Sequence, residues 1–168
     1  WNVSRKISIL AITGAMSDRT ELKVETWLRV AEDISGLSTC QFTSVGCVIL
    51  DENWCTVSTG YNGTIEGHKH CNEHEWDLTD PEHRASHGVF ADMYEIHAEA
   101  NAVRHMNGKG KNLRCFTTIS PCLQCMKLLA SMGVTDIYFS KVYWRSSYKE
   151  IRQQAFKLRV NIHYGQDI

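Results

Sequence analysis

The sequence predicts an α/β fold: a three-layer α-β-α sandwich around a mixed sheet of about five strands. Three observations lead there. From His97 onward, apolar segments of helical period alternate with β-branched runs in the order α-β-α-β-α-β, and helical crossovers imply parallel strand pairing. Upstream, residues 45–50 and 54–61 are apolar, β-branched runs joined at Asp51-Glu52-Asn53, the pattern of an antiparallel hairpin. The chain has 168 residues, 43% of them hydrophobic, which suits one buried core, and no apolar run is long enough to span a membrane.

Residues 1–15 read as a non-native leader. Arg5-Lys6 followed by Ile7-Ser8-Ile9-Leu10-Ala11-Ile12 loosely resembles a secretion signal, but the apolar run is short, and Gly14-Ala15-Met16 looks like a junction before a natural start at Met16. Residues 16–168 are expected to form a single domain. Ser17 or Asp18 can cap a helix running to about Ser35, whose stripe of Val24, Trp27, Leu28, Ala31 and Ile34 suits packing on a sheet. Cys47 and Cys55 fall inside the hairpin strands and are expected to be buried packing thiols. Gly60-Tyr61-Asn62-Gly63 ends the second strand, either as a turn or as a place where backbone approaches a ligand closely.

Residues 64–94 are a polar connection, too long for an ordinary loop. It is crowded with His68, His70, Cys71, His74, His83 and His87, and a second metal is the natural pin for it. The helix from His97 turns Ala98, Ala102, Val103 and Met106 to one face and is expected to end near Asn107-Gly108. A basic turn at 109–112 leads to a strand at 115–119. The next helix is expected to start at Cys122, with Ser120 as its cap and Pro121 at its first position, and to stop at Gly133. A strand at 134–139, a helix marked by Tyr148, Ile151, Ala155 and Leu158, and a last strand through Val160, Ile162 and Tyr164 complete the chain.

Composition narrows the function. A formal net charge of −1 favours a small substrate over a nucleic-acid polymer. Seven cysteines, an odd number and partly within strands, point to reduced thiols and metal rather than a disulfide framework, and so to the cytoplasm.

Two short stretches carry the chemistry: His97-Ala98-Glu99 and Pro121-Cys122-Leu123-Gln124-Cys125. His97, Cys122 and Cys125 supply three ligands for a catalytic zinc and leave a fourth tetrahedral position open for water. The two cysteines, three apart, share a helical face near a helix N-terminus, where the dipole favours thiolates. Zinc lowers the pKa of bound water toward about 7. Glu99 is placed to move protons between that water, the ring and the leaving ammonia, a task that suits a carboxyl raised by a dry pocket. Together the two halves are the known signature of zinc-dependent nucleobase deaminases.

With those motifs, Thr43-Ser44-Val45-Gly46 and the Gly60-Tyr61-Asn62-Gly63 stretch, the sequence resembles the deoxycytidylate (dCMP) deaminases of the cytidine deaminase superfamily over nearly its whole length from about residue 20. The resemblance implies a cytidine deaminase-like fold and hydrolysis of dCMP to dUMP and ammonia, for dTTP supply. It also implies activation by dCTP with magnesium, inhibition by dTTP, a homohexamer, and an effector site at Gly60, Tyr61, Asn62 and Gly63. The insert is similar to that of tailed-phage members, which implies a phage origin, a host-cytoplasmic setting, and a second, structural zinc on Cys40, Cys71, His87 and Glu95. A closed set of two thiolates, an imidazole and a carboxylate suits such a site. Substrate contacts implied are Asn62, backbone groups at Ala98 and Ser120, and Tyr143 over the base. Thr43, Ser44, Lys141 and Arg145 are candidates for the monophosphate. His105 departs from the family pattern, which puts the regulation in question.

Two other functions fit parts of the sequence. A deaminase of the same fold acting on tRNA or single-stranded DNA would use the basic stretch Lys141, Arg145, Lys149, Arg152, Lys157 and Arg159. A zinc-stabilised, non-catalytic nucleotide-binding module would have no need of Glu99.

Overall fold

A computed structural model describes residues 18–164. The expected leader at 1–15 and the Ser17 cap lie outside the described residues. A five-stranded sheet runs β2-β1-β5-β6-β7, formed by β1 (Gly46–Leu50), β2 (Thr56–Tyr61), β5 (Leu113–Ile119), β6 (Val134–Lys141) and β7 (Asn161–Tyr164). β1 pairs antiparallel with both β2 and β5, while β5-β6 and β6-β7 are parallel. The sheet is mixed, as expected.

The pleat sorts two cores. Val48 and Leu50 of β1, Phe116 of β5 and Tyr138 of β6 face α1 (Asp18–Ser35), which brings Val24, Leu28 and Ala31 onto them. Cys47, Ile49, Cys115, Ile137 and Phe139 point the other way. They meet α3 (Ala98–Arg104), α4 (Leu123–Ser131) and α5 (Tyr148–Leu158) through Ala98, Ala102, Met126, Leu129, Ile151 and Ala155. β1 is buried on both faces, which explains its unbroken apolar run.

The insert departs from expectation. It contains α2 (Pro81–Tyr94) and a single 3-10 turn at Cys71–Glu73, and its two ends are joined by a small antiparallel pair of β3 (Gly63–Thr64) with β4 (Glu95–Ile96). α2 starts where Asp80 accepts the Glu82 N–H at 2.8 Å, with Pro81 in the first turn. Other boundaries also move. Trp54 sits in a turn with φ 68°, the β1-β2 register slips at Ile49/Leu50, and β2 starts at Thr56, so Cys55 is exposed rather than buried. α3 ends at Arg104, where the His105 N–H is shared between the Asn101 and Ala102 carbonyls. The cap of α4 is Cys122, not Ser120, and Pro121 precedes it. The Ser120 hydroxyl instead accepts the Tyr143 N–H at 2.8 Å, which ties the loop after β6 to the start of α4.

Gly60 has a packing reason. A Cβ there would lie 2.3 Å from the Ala102 nitrogen and 2.4 Å from the Ala98 oxygen. Both are helix backbone and neither can swing away, so β2 and α3 are in direct backbone contact. Gly60→Ala is expected to cost about 3 kcal/mol, the upper end of overpacking, which lowers the unfolding temperature by about 6–12 °C for a chain of this size. A thermal melt within 2 °C of wild type would show that α3 shifts freely.

Candidate active site

α3 and α4 start side by side at one end of the sheet. His97 caps α3 and Cys122 caps α4, both in extended backbone and neither using its side chain as a cap. Those side chains are therefore free to face each other. His97 Nδ1 lies 3.6 Å from Cys122 Sγ and 3.4 Å from Cys125 Sγ. Tetrahedral zinc, with Zn–S of about 2.3 Å and Zn–N of about 2.0–2.1 Å, places its sulfur and nitrogen ligands roughly 3.5 Å apart. The donor set fits.

The Cys125 thiol hydrogen-bonds Cys122, and this, against burial and with His97 helping, depresses Cys122 to about 3. Cys125 is pushed up in turn by the same bond and by burial. The Cys122 bond raises His97. A dication would take the place of the protons in these bonds. Glu99, in the first turn of α3, is only 4% exposed. Burial raises its carboxyl above the ordinary range, with a backbone N–H and His97 working the other way.

His97, Glu99 and Cys122 form part of a cavity of about 160 Å³. His97, Ala98, Glu99, Ser120, Cys122 and Tyr143 line it, together with Asn62 and Thr43. Asn62 is buried, and most of its amide is already engaged. Oδ1 accepts from the Val45 N–H at 2.7 Å and the Ser38 hydroxyl at 2.8 Å, and Nδ2 donates to the Thr43 carbonyl at 2.9 Å. One N–H is left for a ligand. Ser44 is exposed, outside the lining, and donates to the Cys40 carbonyl. Tyr61 and Gly63 do not line the cavity. The Tyr61 carbonyl instead accepts from Asn101 at 2.8 Å, and His105 Nδ1 faces the Thr59 carbonyl at 3.1 Å.

Sequence reasoning missed the wall formed by α2. Arg84, His87, Gly88, Ala91 and Glu95 line the cavity at helical spacing. The i, i+3, i+4, i+7 pattern was visible, but it mixes charged, aromatic and small residues and carries no apolar signal.

Cys40, Cys71, His87 and Glu95 form a second cluster, their ligand atoms within 4.8 Å of one another. Cys40 Sγ lies 3.3 Å from His87 Nε2, which lies 3.8 Å from Glu95 Oε1. That oxygen is buried and has no hydrogen-bond partner, a costly state unless a cation faces it. Burial lowers the His87 pKa, against the pull of Glu95, which favours the neutral ring that binds metal. Burial and the Glu95 charge push Cys40 up to about 12, and burial raises Cys71. Phe42 stacks on the His87 ring at 4.1 Å. Among the described residues the other insert histidines join no such cluster. His83 accepts the Asp77 N–H, and His74 stacks on Trp76.

Comparison with known proteins gives consistent results. The family described as the cytidine and deoxycytidylate deaminase zinc-binding region matches residues 22–141. The deoxycytidylate deaminase of Enterobacteria phage T2 is 29% identical over 154 residues, spanning 73% of this chain and 81% of that protein. That of Saccharomyces cerevisiae is 30% identical over 141 residues, 80% of this chain and 41% of that protein. The crystal structure of the dCMP deaminase from cyanophage S-TIM5, in complex with dCMP and dUMP, superposes with a TM-score of 0.67 at 27% identity, covering 89% of this chain and 99% of that one.

Proposed function

The chain belongs to the cytidine and deoxycytidylate deaminase family, and from that membership and the geometry of its cavity we propose that it hydrolyses dCMP to dUMP and ammonia. The observation that carries this reading is Glu99, a buried carboxyl in one cavity with His97 and Cys122 and two residues from His97. The S-TIM5 enzyme, whose dCMP and dUMP complex shares this fold, supports the substrate. His97, Cys122 and Cys125 would hold the catalytic zinc, which when bound lowers the pKa of a water toward about 7. Glu99 moves the two protons of the attacking water in turn: its carboxyl oxygen gives the first to the ring nitrogen beside the reacting carbon and the second to the departing amine as the carbon–nitrogen bond breaks. Ala98 and Ser120 frame the base, and Tyr143 covers it, its backbone held by Ser120. Cys40, Cys71, His87 and Glu95 would hold a second, structural zinc that pins the insert at 64–94.

The family resemblance also supports regulation by dCTP with magnesium and by dTTP in a homohexamer, with the effector near Gly60-Tyr61-Asn62-Gly63. Tyr61, 40% exposed beside Asn101, is open to such a ligand. Among the described residues no helix is long and apolar enough to cross a membrane.

The test is ammonia release from dCMP, alone, with dCTP and magnesium, and then with dTTP. Turnover that dCTP raises and dTTP suppresses is expected. Turnover indifferent to both would keep the reaction and overturn the regulation. No turnover by zinc-loaded protein would overturn the substrate.

A further inference from the structure

Resting on the dCMP reading, we propose that Arg84 of α2 and Arg145 of the loop after β6 together grip the substrate's 5′-phosphomonoester, so that the insert helix selects nucleotide over nucleoside. Both arginines line the cavity that holds Glu99, and they reach it from different elements. Arg145 extends toward α2: its terminal nitrogen is 3.8 Å from where a Cβ on Gly88 would sit, one helical turn beyond Arg84.

Both guanidinium groups are braced and available. Arg145 lies over the Trp144 ring at 4.5 Å and Arg84 over the Phe42 ring at 5.4 Å. Stacking orders a guanidinium while leaving its N–H fork for an anion. Among the described residues the ion pairs are His87–Glu95 and His163–Asp136, and neither involves an arginine. Two unneutralised forks at one cavity match a dianionic phosphomonoester; a nucleoside offers them nothing. Three carboxyl groups also line the cavity: Asp92, one helical turn beyond Gly88, Glu95, which faces His87 at 3.8 Å, and Glu99. Of the other phosphate candidates, Lys141 and Ser44 lie outside the lining, and Thr43 has a neutral hydroxyl. A polymer backbone would call for a longer basic track, and the net charge of −1 gives it little support.

The test is steady-state kinetics of the zinc-loaded wild type, Arg84→Ala and Arg145→Ala on dCMP, on deoxycytidine, and on a dinucleotide whose cytidine carries a 5′-phosphodiester. Each alanine variant is expected to raise KM for dCMP by about 10–100-fold, the scale of a hydrogen bond to a charged group, with kcat changed far less. The dCMP-over-deoxycytidine ratio of kcat/KM should fall by the same factor, and Arg84→Lys should restore part of it. Both side chains are exposed, so melting temperature and zinc content should hold in every variant. If wild type discriminates and the alanine variants discriminate equally well, the grip is wrong and the dCMP reading stands. Diester turnover as efficient as dCMP turnover, lost equally in the variants, would overturn the grip in favour of a nucleic-acid backbone. A wild type that deaminates none of the three would overturn the substrate reading itself.

Discussion

Glu99→Gln is expected to lower kcat on dCMP by about 10³–10⁴-fold, while zinc content and melting temperature stay at or above wild type. A positioned acid-base group contributes about 10²–10⁴-fold to one proton transfer, and Glu99 is asked to serve more than one. At about 1.36 kcal/mol per decade, the loss corresponds to roughly 4–5.5 kcal/mol of transition-state stabilisation. Glutamine keeps the shape but cannot exchange a proton. The fold should not suffer, because the position is almost fully buried and burial already disfavours the carboxylate. Glutamine is outside the proposed ligand set, so the metal should remain. The measurements are single-turnover kinetics, zinc analysis and a thermal melt on one preparation. Activity within tenfold of wild type would end the proton-shuttle role; lost zinc would make Glu99 part of the metal site instead.

The second large effect concerns the insert. Wild type should carry two zinc ions per chain, and Cys71→Ser, close to isosteric at a fully buried position, should carry one. The variant should lose about 3 kcal/mol or more, because binding energy at a structural site is folding energy. For a chain of this size that is a fall of about 6–12 °C or more. The cluster joins the α1–β1 connection at Cys40, the 3-10 turn at Cys71, the middle of α2 at His87 and its C-terminal cap at Glu95. Without the metal, two raised thiols and an orphaned carboxylate oxygen would be buried together. Fully active wild type with one zinc per chain, or an unchanged melt for Cys71→Ser, would show that the insert is held by packing alone.

Neighbourhood in the chain explains which parts of the site could be read from sequence. His97 and Glu99 are two apart, Cys122 and Cys125 three apart, and each pair opens an apolar-periodic helix. Local spacing therefore brought each half together, and only the meeting of α3 with α4 had to be supplied by the fold. The second cluster has ligands at 40, 71, 87 and 95, with no repeating interval, and became visible only through likeness to a family. α2 was missed because its polar residues hid a helix whose start signal, Asp80-Pro81-Glu82, was legible. Cys55 was misplaced because a turn at Trp54 and a register slip at Ile49/Leu50 moved the strand boundary.

By itself, the sequence determined the layered α/β architecture, the antiparallel hairpin, the parallel strands from about residue 115 onward and the two short motifs that carry His97, Glu99, Cys122 and Cys125. These follow from periodicity and short spacing, which act along the chain. The tertiary structure alone decided what each shared side chain is used for. Gly60 is glycine because two backbones touch there. Most of the Asn62 amide is engaged by the neighbouring loop backbone and Ser38. Ser120 braces Tyr143 rather than capping a helix, and Arg84 and Arg145 line one cavity from different elements. Hydrogen bonds and close contacts between residues far apart in the chain depend on how the layers pack, and no spacing in the sequence encodes them.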